Sequence, residues 1–283
     1  MQPADRMPDK QLARRSFEQA AASYDQAAVL QREIAQRLLQ RLELMKIEPR
    51  RVLDLGCGTG QCIPGLMARY TSAQVLAVDI AAPMLTQARR RGRWLRKPRC
   101  VCGDAERLPL ADNSIDLVFS NLMLQWCVEL DTVFGELQRV LRPGGLLLFT
   151  SFGPDTLHEL RDSWARVDGY NHVNAFQDMH DVGDALVRAR FADPVMDVER
   201  LTVTYPDVWQ LMRELKQIGA HNVTAGRPRG LTGKSHLQTL VQAYEGFRQG
   251  GVLPASYEIV NGHAWGTEAR DVRSVPLDAL RRS

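Results

Sequence analysis

The stretch Val52-Leu53-Asp54-Leu55-Gly56-Cys57-Gly58-Thr59-Gly60 carries an apolar run into an acidic turn with three glycines. A strand that ends in such a turn and leads into a helix can hold a nucleotide-like group at its carboxyl end. Spacing separates the ligand classes. A dinucleotide loop reads G-x-G-x-x-G and seats a pyrophosphate on a helix N-terminus, whereas this loop reads G-x-G-x-G, with Asp54 two residues ahead of Gly56. A carboxylate there repels a pyrophosphate but attracts a ligand bearing ammonium and sulfonium groups. Asp79 closes the run Gln74-Val75-Leu76-Ala77-Val78, where a ribose diol needs an acceptor, and Ile80 and Met84 follow it along the same edge. Asp104, in Gly103-Asp104-Ala105, can accept from an adenine amino group. Each aspartate alone could merely cap a helix. Their recurrence at successive strand ends is what points to one ligand.

The elements that must position these residues read as an α/β chain. Ser114-Ile115-Asp116-Leu117-Val118-Phe119-Ser120 is a fourth strand running into Asn121-Leu122, and Leu141 to Phe149 gives a helix end, a tight turn at Pro143-Gly144-Gly145 and a fifth strand. Alternation of strand and helix to about residue 151 requires parallel strands, right-handed crossovers and helices on both faces. Two helices are expected before the sheet, from Phe17, Ala20, Ala21 and Tyr24 and then, after a break at Asp25, from Leu30, Ile34, Leu38, Leu42 and Met45. Beyond the fifth strand, helices are expected over 155–167 and 177–188, then an antiparallel pair at 201–205 and 257–260. An insert over 206–254 lies between the two arms, with helices at 208–218 and 234–247 joined by a glycine-rich basic loop. The expected layout is a single domain over 1–283: a helical lid to 46, a cofactor half over 47–153, a substrate half over 154–266 and a charged tail over 267–283.

A chain of 283 residues can bury one sizeable core with decorations. Its net charge of +3 is too small to imply general nucleic-acid binding. The basic run from Arg89 to Arg99 follows a helix on the outside of the sheet and reads as a solvated face. The five cysteines form no even framework, and Cys100-x-Cys102 has no second pair at zinc-ligand spacing, so neither disulfides nor a metal are expected. The first residues are polar without an apolar signal core, and the run around Leu146 is too short to span a bilayer. A cytoplasmic location and no membrane partner are therefore expected.

The pattern D-x-G-x-G-x-G, with Gly103-Asp104-Ala105 and the strand order behind it, resembles motif I and its companions in class I methyltransferases. That resemblance implies S-adenosyl-L-methionine as cofactor and a Rossmann-like, mostly parallel seven-stranded sheet with N-terminal helices and a helical lid insert. Pro-Pro and Pro-Cys, which nucleic-acid enzymes of this fold need, are absent. Over nearly the whole length the chain resembles the malonyl-[acyl-carrier protein] O-methyltransferase family of biotin synthesis. The segments that carry this are Ser16-Phe17 with Ala20-Ala21-Ala22-Ser23-Tyr24-Asp25, Leu30-Gln31-Arg32, Asn121-Leu122 with Gln125-Trp126-Cys127, and Leu215-Lys216, Ile218-Gly219-Ala220, Gly226-Arg227 and Leu231-Thr232. Glu106-Arg107-Leu108-Pro109-Leu110 occurs more widely, in quinone and other small-molecule methyltransferases, and the tail matches no family feature.

The resemblance implies esterification of a free malonyl carboxylate. Because a carboxylate is ionised at pH 7, attack on a sulfonium methyl requires position and desolvation rather than a general base or metal. Tyr24 is expected to fold over the cofactor, with Gln125 and Trp126 positioning the acceptor and walling its acyl chain. Arg227, Lys216 and His172 are the candidates to hold the carboxylate, and Arg227, Arg229 and Lys234 to dock an acidic carrier. Asn121 joins the cofactor set. Acceptors left open are another small acid or a quinone precursor, and coenzyme A as the carrier; an inactive partner subunit is the reading of another class.

Overall fold

A computed structural model describes residues 8–92, 95–220, 222, 224 and 233–268. In chain order the elements are α1 (Lys10–Ala20), α2 (Tyr24–Ala27), α3 (Val29–Arg41), β1 (Arg51–Leu55), α4 (Ile63–Arg69), β2 (Gln74–Asp79), α5 (Ala82–Ala88), β3 (Arg99–Cys102), β4 (Ile115–Asn121), α6 (Leu130–Val140), β5 (Leu141–Phe152), α7 (His158–Ala165), α8 (Met179–Arg188), β6 (Ala192–Tyr205), α9 (Val208–Gln217), α10 (Lys234–Glu245) and β7 (Leu253–Trp265). The strands join one seven-stranded sheet in the order β3-β2-β1-β4-β5-β7-β6. β7 alone is reversed, pairing antiparallel with β5 and β6, and the other described pairs are parallel. The sheet matches the Rossmann-like expectation. Strand order reverses between β1 and β4, and the crevice at such a switch point is where this architecture binds ligands.

Central strands are buried on both faces, as parallel strands must be. Val52, Leu53 and Leu55 of β1 are buried, with one apolar layer under α6 and α8 and the other under α3, α4 and α5. A third cluster packs the insert, where Val208 and Leu211 of α9 and Leu240 and Tyr244 of α10 meet Phe152 and Tyr257 of the sheet. Among the described residues no helix is long and apolar enough to cross a membrane, and no group of three His, Cys, Asp or Glu could hold a metal.

The structure departs from the expected elements in four places. The N-terminal segment forms three helices, because Tyr24–Ala27 is a separate single turn. No helix bridges β3 and β4. Side chains of α6 serve the backbone there instead: Glu136 accepts from Leu108 N at 2.7 Å, and Arg139 donates to the carbonyls of Leu108 and Leu110 at 3.0 and 2.8 Å. α6 runs directly into β5, so Pro143-Gly144-Gly145 is a bulge within the strand. Ile115 pairs with Leu141 but Leu117 already pairs with Leu146, and Gly144 takes φ +73. Finally, β6 and β7 pair along their length, from Ala192↔Trp265 to Tyr205↔Leu253. The first half of β6 was hidden by its polar residues, which Arg41 and Arg37 cover. Arg41 holds Asp197 at 2.6 and 2.8 Å, and Arg37 pairs with Glu199.

Candidate active site

The ends of β1, β2 and β4 open into a cleft of about 980 Å³ counting its open mouth. α1 closes it on one side and the end of α9 on another, through Ile218 and Ala220. Ser16 Oγ of α1 donates to Gly219 O at 2.9 Å and ties these two walls together.

The glycine loop is strapped to β2, since Gly56 N and Cys57 N both donate to Val78 O, at 2.8 and 3.1 Å. Its glycines take φ +67, +52 and +80, and each does something different. Gly56 lines the cleft with Met123 pressed against its Cα. Gly58 lines it with open space where a Cβ would project. Gly60 turns away from the cleft and packs on Ile63 and Ala88 of the flanking helices, so its role is to seat α5 rather than to touch a ligand.

Asp79 lines the cleft with Ile80 and Met84, and its carboxylate accepts from Gly58 N at 2.9 Å and Ala81 N at 2.8 Å. Asp54 is not among the residues that line the cleft; it is 2% exposed, with one carboxylate oxygen lacking any hydrogen-bond partner. Burial first, and then the charge of Asp79, push its carboxyl up to about 8. Burial likewise raises Asp79. No described cation pairs with buried Asp54 or half-buried Asp79. S-adenosylmethionine brings an ammonium and a sulfonium, and the orphaned Asp54 oxygen with the open space at Gly58 fits such a ligand; a pyrophosphate would be repelled. A cation also favours ionised Asp54. Between pH 5 and 7 cofactor affinity should therefore rise with pH, and binding at pH 7 should release up to one proton. Calorimetry in buffers of different ionisation enthalpy would show this, and a release that persists in Asp54→Asn would overturn it.

Asp104 and Ala105 border the cleft, but Asp104 is already engaged. It accepts from Lys10 Nζ at 2.8 Å and from Glu106 N at 3.0 Å, and Lys10 also pairs with Glu106. α1 thus reaches over the end of the site assigned to adenine, an arrangement with no signal in the sequence around Lys10. Asn121 lines the cleft while bracing it, donating to Gln31 O at 3.1 Å and accepting from Thr150 Oγ1 at 3.0 Å.

Tyr24, Gln125 and Trp126 all face the cleft. Burial, ahead of the nearby acidic charges, raises the Tyr24 hydroxyl, which stays a donor. Gln125 donates to Leu122 O at 2.7 Å and leaves its amide oxygen buried without a partner. That oxygen presents an acceptor and so suits a ligand N–H, not an acceptor carboxylate. Trp126 is held edge-on by Phe17, centroids 5.0 Å apart.

The candidates for carboxylate binding are placed differently. His172 lies outside the cleft lining, stacked on Trp164 at 3.7 Å with Nε2 2.9 Å from Asp168, because an aromatic shelf and a carboxylate satisfy both its face and its nitrogen. Lys216 is exposed on α9 and also outside the lining. Lys234 opens α10, exposed. Arg227 and Arg229 lie outside the described residues. Gln31 and Phe152, which sequence reasoning did not single out for the site, line the cleft. Only the resemblance of Leu30-Gln31-Arg32 to a family segment hinted at the first.

A family model described as a methyltransferase domain matches residues 53–149. Malonyl-[acyl-carrier protein] O-methyltransferase of Halorhodospira halophila is 51% identical over 286 aligned positions, covering 98% of this chain and 97% of that one. The protein of the same name from Laribacter hongkongensis is 54% identical, covering 94% and 93%. In fold, the crystal structure of YcgJ protein from Bacillus subtilis is similar, with a TM-score of 0.58 at 17% identity over 82% of this chain and 99% of that one. The chain is an S-adenosyl-L-methionine-dependent O-methyltransferase. With identity above half over nearly its full length, it belongs to the malonyl-[acyl-carrier protein] O-methyltransferase family.

Proposed function

We propose that the protein methylates the free carboxylate of malonyl-acyl carrier protein, giving the methyl ester at an early step of biotin synthesis. Beside the family membership, one observation carries this reading: the cleft divides its charge. Its acidic residues are Asp79 and Asp104, with Asp54 buried behind the lining, its cations are Lys10 and Arg14 of α1, and the lining from α2, α3, β5 and the end of α9 is uncharged, through Tyr24, Gln31, Phe152, Ile218 and Ala220. A cationic methyl donor belongs against Asp79 and an acyl chain ending in a carboxylate against the uncharged lining.

The bound cofactor supplies a methyl group on a sulfonium, and the new O–CH3 bond forms as the S–CH3 bond breaks. The residues of the chain do the rest. Asp54 and Asp79 hold positive charge in place, and Gly58 leaves room for it. Tyr24 offers a hydroxyl that stays protonated, so it can orient the acceptor by a hydrogen bond without removing its charge. Apolar Phe152, Leu122 and Ile218 exclude water, which raises the nucleophilicity of an ionised carboxylate. The carrier docks on the insert side, where exposed Lys234 faces solvent.

Labelled S-adenosylmethionine should give a single base-labile methyl on malonyl-acyl carrier protein and none on acetyl-acyl carrier protein, which lacks the carboxylate. Malonyl-coenzyme A in a third arm separates the two carriers. Equal labelling of the acetyl form would sink the carboxylate assignment.

A further inference from the structure

Tyr24 hangs over the cleft on very little local structure. α2 has four residues, no side chain caps its start, and Ala28 follows outside helical geometry. A single turn has no intrinsic stability, since nucleation costs more than one turn of hydrogen bonds returns. Something tertiary must hold it, and the next residue does. Asp25 Oδ1 accepts from Thr59 Oγ1 at 2.6 Å and from Gln61 Nε2 at 2.9 Å, and Asp25 Oδ2 pairs with Arg91. Arg91 Nε also donates to Thr59 O at 3.2 Å, and Arg32 donates to the Asp25 carbonyl at 2.8 Å. Burial opposes the charge of Asp25, but these donors outweigh it and keep the carboxyl below its usual range. Thr59 is 1% exposed and stands between Gly58 and Gly60. Asp25 itself is not part of the cleft lining.

We propose that Asp25 is a positioning residue: it latches the turn bearing Tyr24 to the glycine loop, so that the lid over the cofactor and the loop beneath it take their working geometry together. Two charge-assisted hydrogen bonds and an ion pair converge on a segment with no stability of its own, and all of their partners lie on the loop or on the helix extension behind it. Opening the lid must break this latch. Release of S-adenosylhomocysteine is therefore gated by Asp25, and methyl transfer depends on it through the placement of Tyr24. The kinetic half of this inference rests on the methyl-transfer reading above, but the release half does not.

Asp25→Asn, Thr59→Val, Tyr24→Ala and the double variant Asp25→Asn/Tyr24→Ala would be compared in the full chain. S-adenosylhomocysteine dissociation, measured with no acceptor present, should speed up by about 10- to 100-fold in Asp25→Asn, the loss expected of hydrogen bonds to a charged group. Thr59→Val should follow it with a smaller change. In methyl transfer Asp25→Asn should lower kcat more than it raises KM for the acceptor, and it should add nothing in the Tyr24→Ala background. A lower melting temperature with unchanged dissociation would reduce Asp25 to a fold-stabilising contact. Effects on kcat that multiply with Tyr24→Ala would show that it does not act through Tyr24. If no acceptor is methylated by the parent protein, the dissociation arm still decides the latch.

Discussion

Replacing Asp54 by Asn should weaken S-adenosylmethionine binding by at least about 100-fold, the scale on which losing one partner of a desolvated charge pair is felt, while leaving the ligand-free fold intact. The side chain keeps its shape but exchanges one oxygen for an NH2 group and can no longer ionise. In the ligand-free protein that charge is a liability, because the carboxyl is 2% exposed, has an oxygen with no partner and is pushed up to about 8. An unfolded aspartate titrates near ~3.9. Between that value and about 8 the folded protein keeps a proton that the unfolded chain has released, so the contribution of Asp54 to stability falls as pH rises through this window. Asp54→Asn removes that dependence. Its melting temperature relative to the parent should climb from pH 5 to pH 8 without ligand, and the order should reverse when saturating S-adenosylmethionine stabilises the parent alone. Thermal melts across pH, with and without cofactor, test both halves. A variant that binds like the parent would mean that the cation sits elsewhere.

The second large effect is expected at Gly56. A Cβ there would lie 2.2 Å from Met123 Cγ and 2.5 Å from its Cβ, and the backbone is at φ +67. Left-handed geometry costs a side-chain-bearing residue about 1–2 kcal/mol, and overpacking costs about 1–3 kcal/mol more. Gly56→Ala should thus lose about 2–5 kcal/mol, lowering the melting temperature by about 5–15 °C in a chain of this size. Met123 lines the cleft, so its displacement should also narrow the site. The neighbouring glycines give the controls. Gly58→Ala meets nothing within 4 Å, so it should cost only backbone strain while its methyl group intrudes on the cofactor. Gly60→Ala would press on Ile63 Cδ1 at 2.7 Å and Ala88 Cα at 2.9 Å, and should act through stability alone. Similar losses of stability in all three would show that the loop is a turn and not a cradle.

These three glycines show where reading by motif stops. Gly56, Gly58 and Gly60 look equivalent in the repeat, yet Gly60 faces α5, because a residue's surroundings depend on which helix packs behind the turn. The acidic strand ends were legible for the opposite reason. An apolar run, a turn and a carboxylate at its tip are local, so Asp54, Asp79 and Asp104 could be placed from their own neighbours. Parallel strands with helices on both faces followed from alternation and handedness, the seven-stranded sheet from the family resemblance, and the antiparallel pair from the alternating 201–205. The first half of β6 was not legible, because its polar face is covered by Arg37 and Arg41 from a helix more than a hundred positions earlier.

The sequence by itself determined the ligand class and the fold, since both are written in short-range patterns of apolar residues, glycines and carboxylates. Tertiary structure alone decided the walls of the site. Lys10 meets Asp104 across 94 positions, Asp25 meets Arg91 across 66, and His172 lies outside the cleft lining, stacked on Trp164. Such pairings depend on how helices pack against the sheet, and packing is settled by the shapes and unmet hydrogen bonds of residues that are distant in the chain and adjacent only once it has folded.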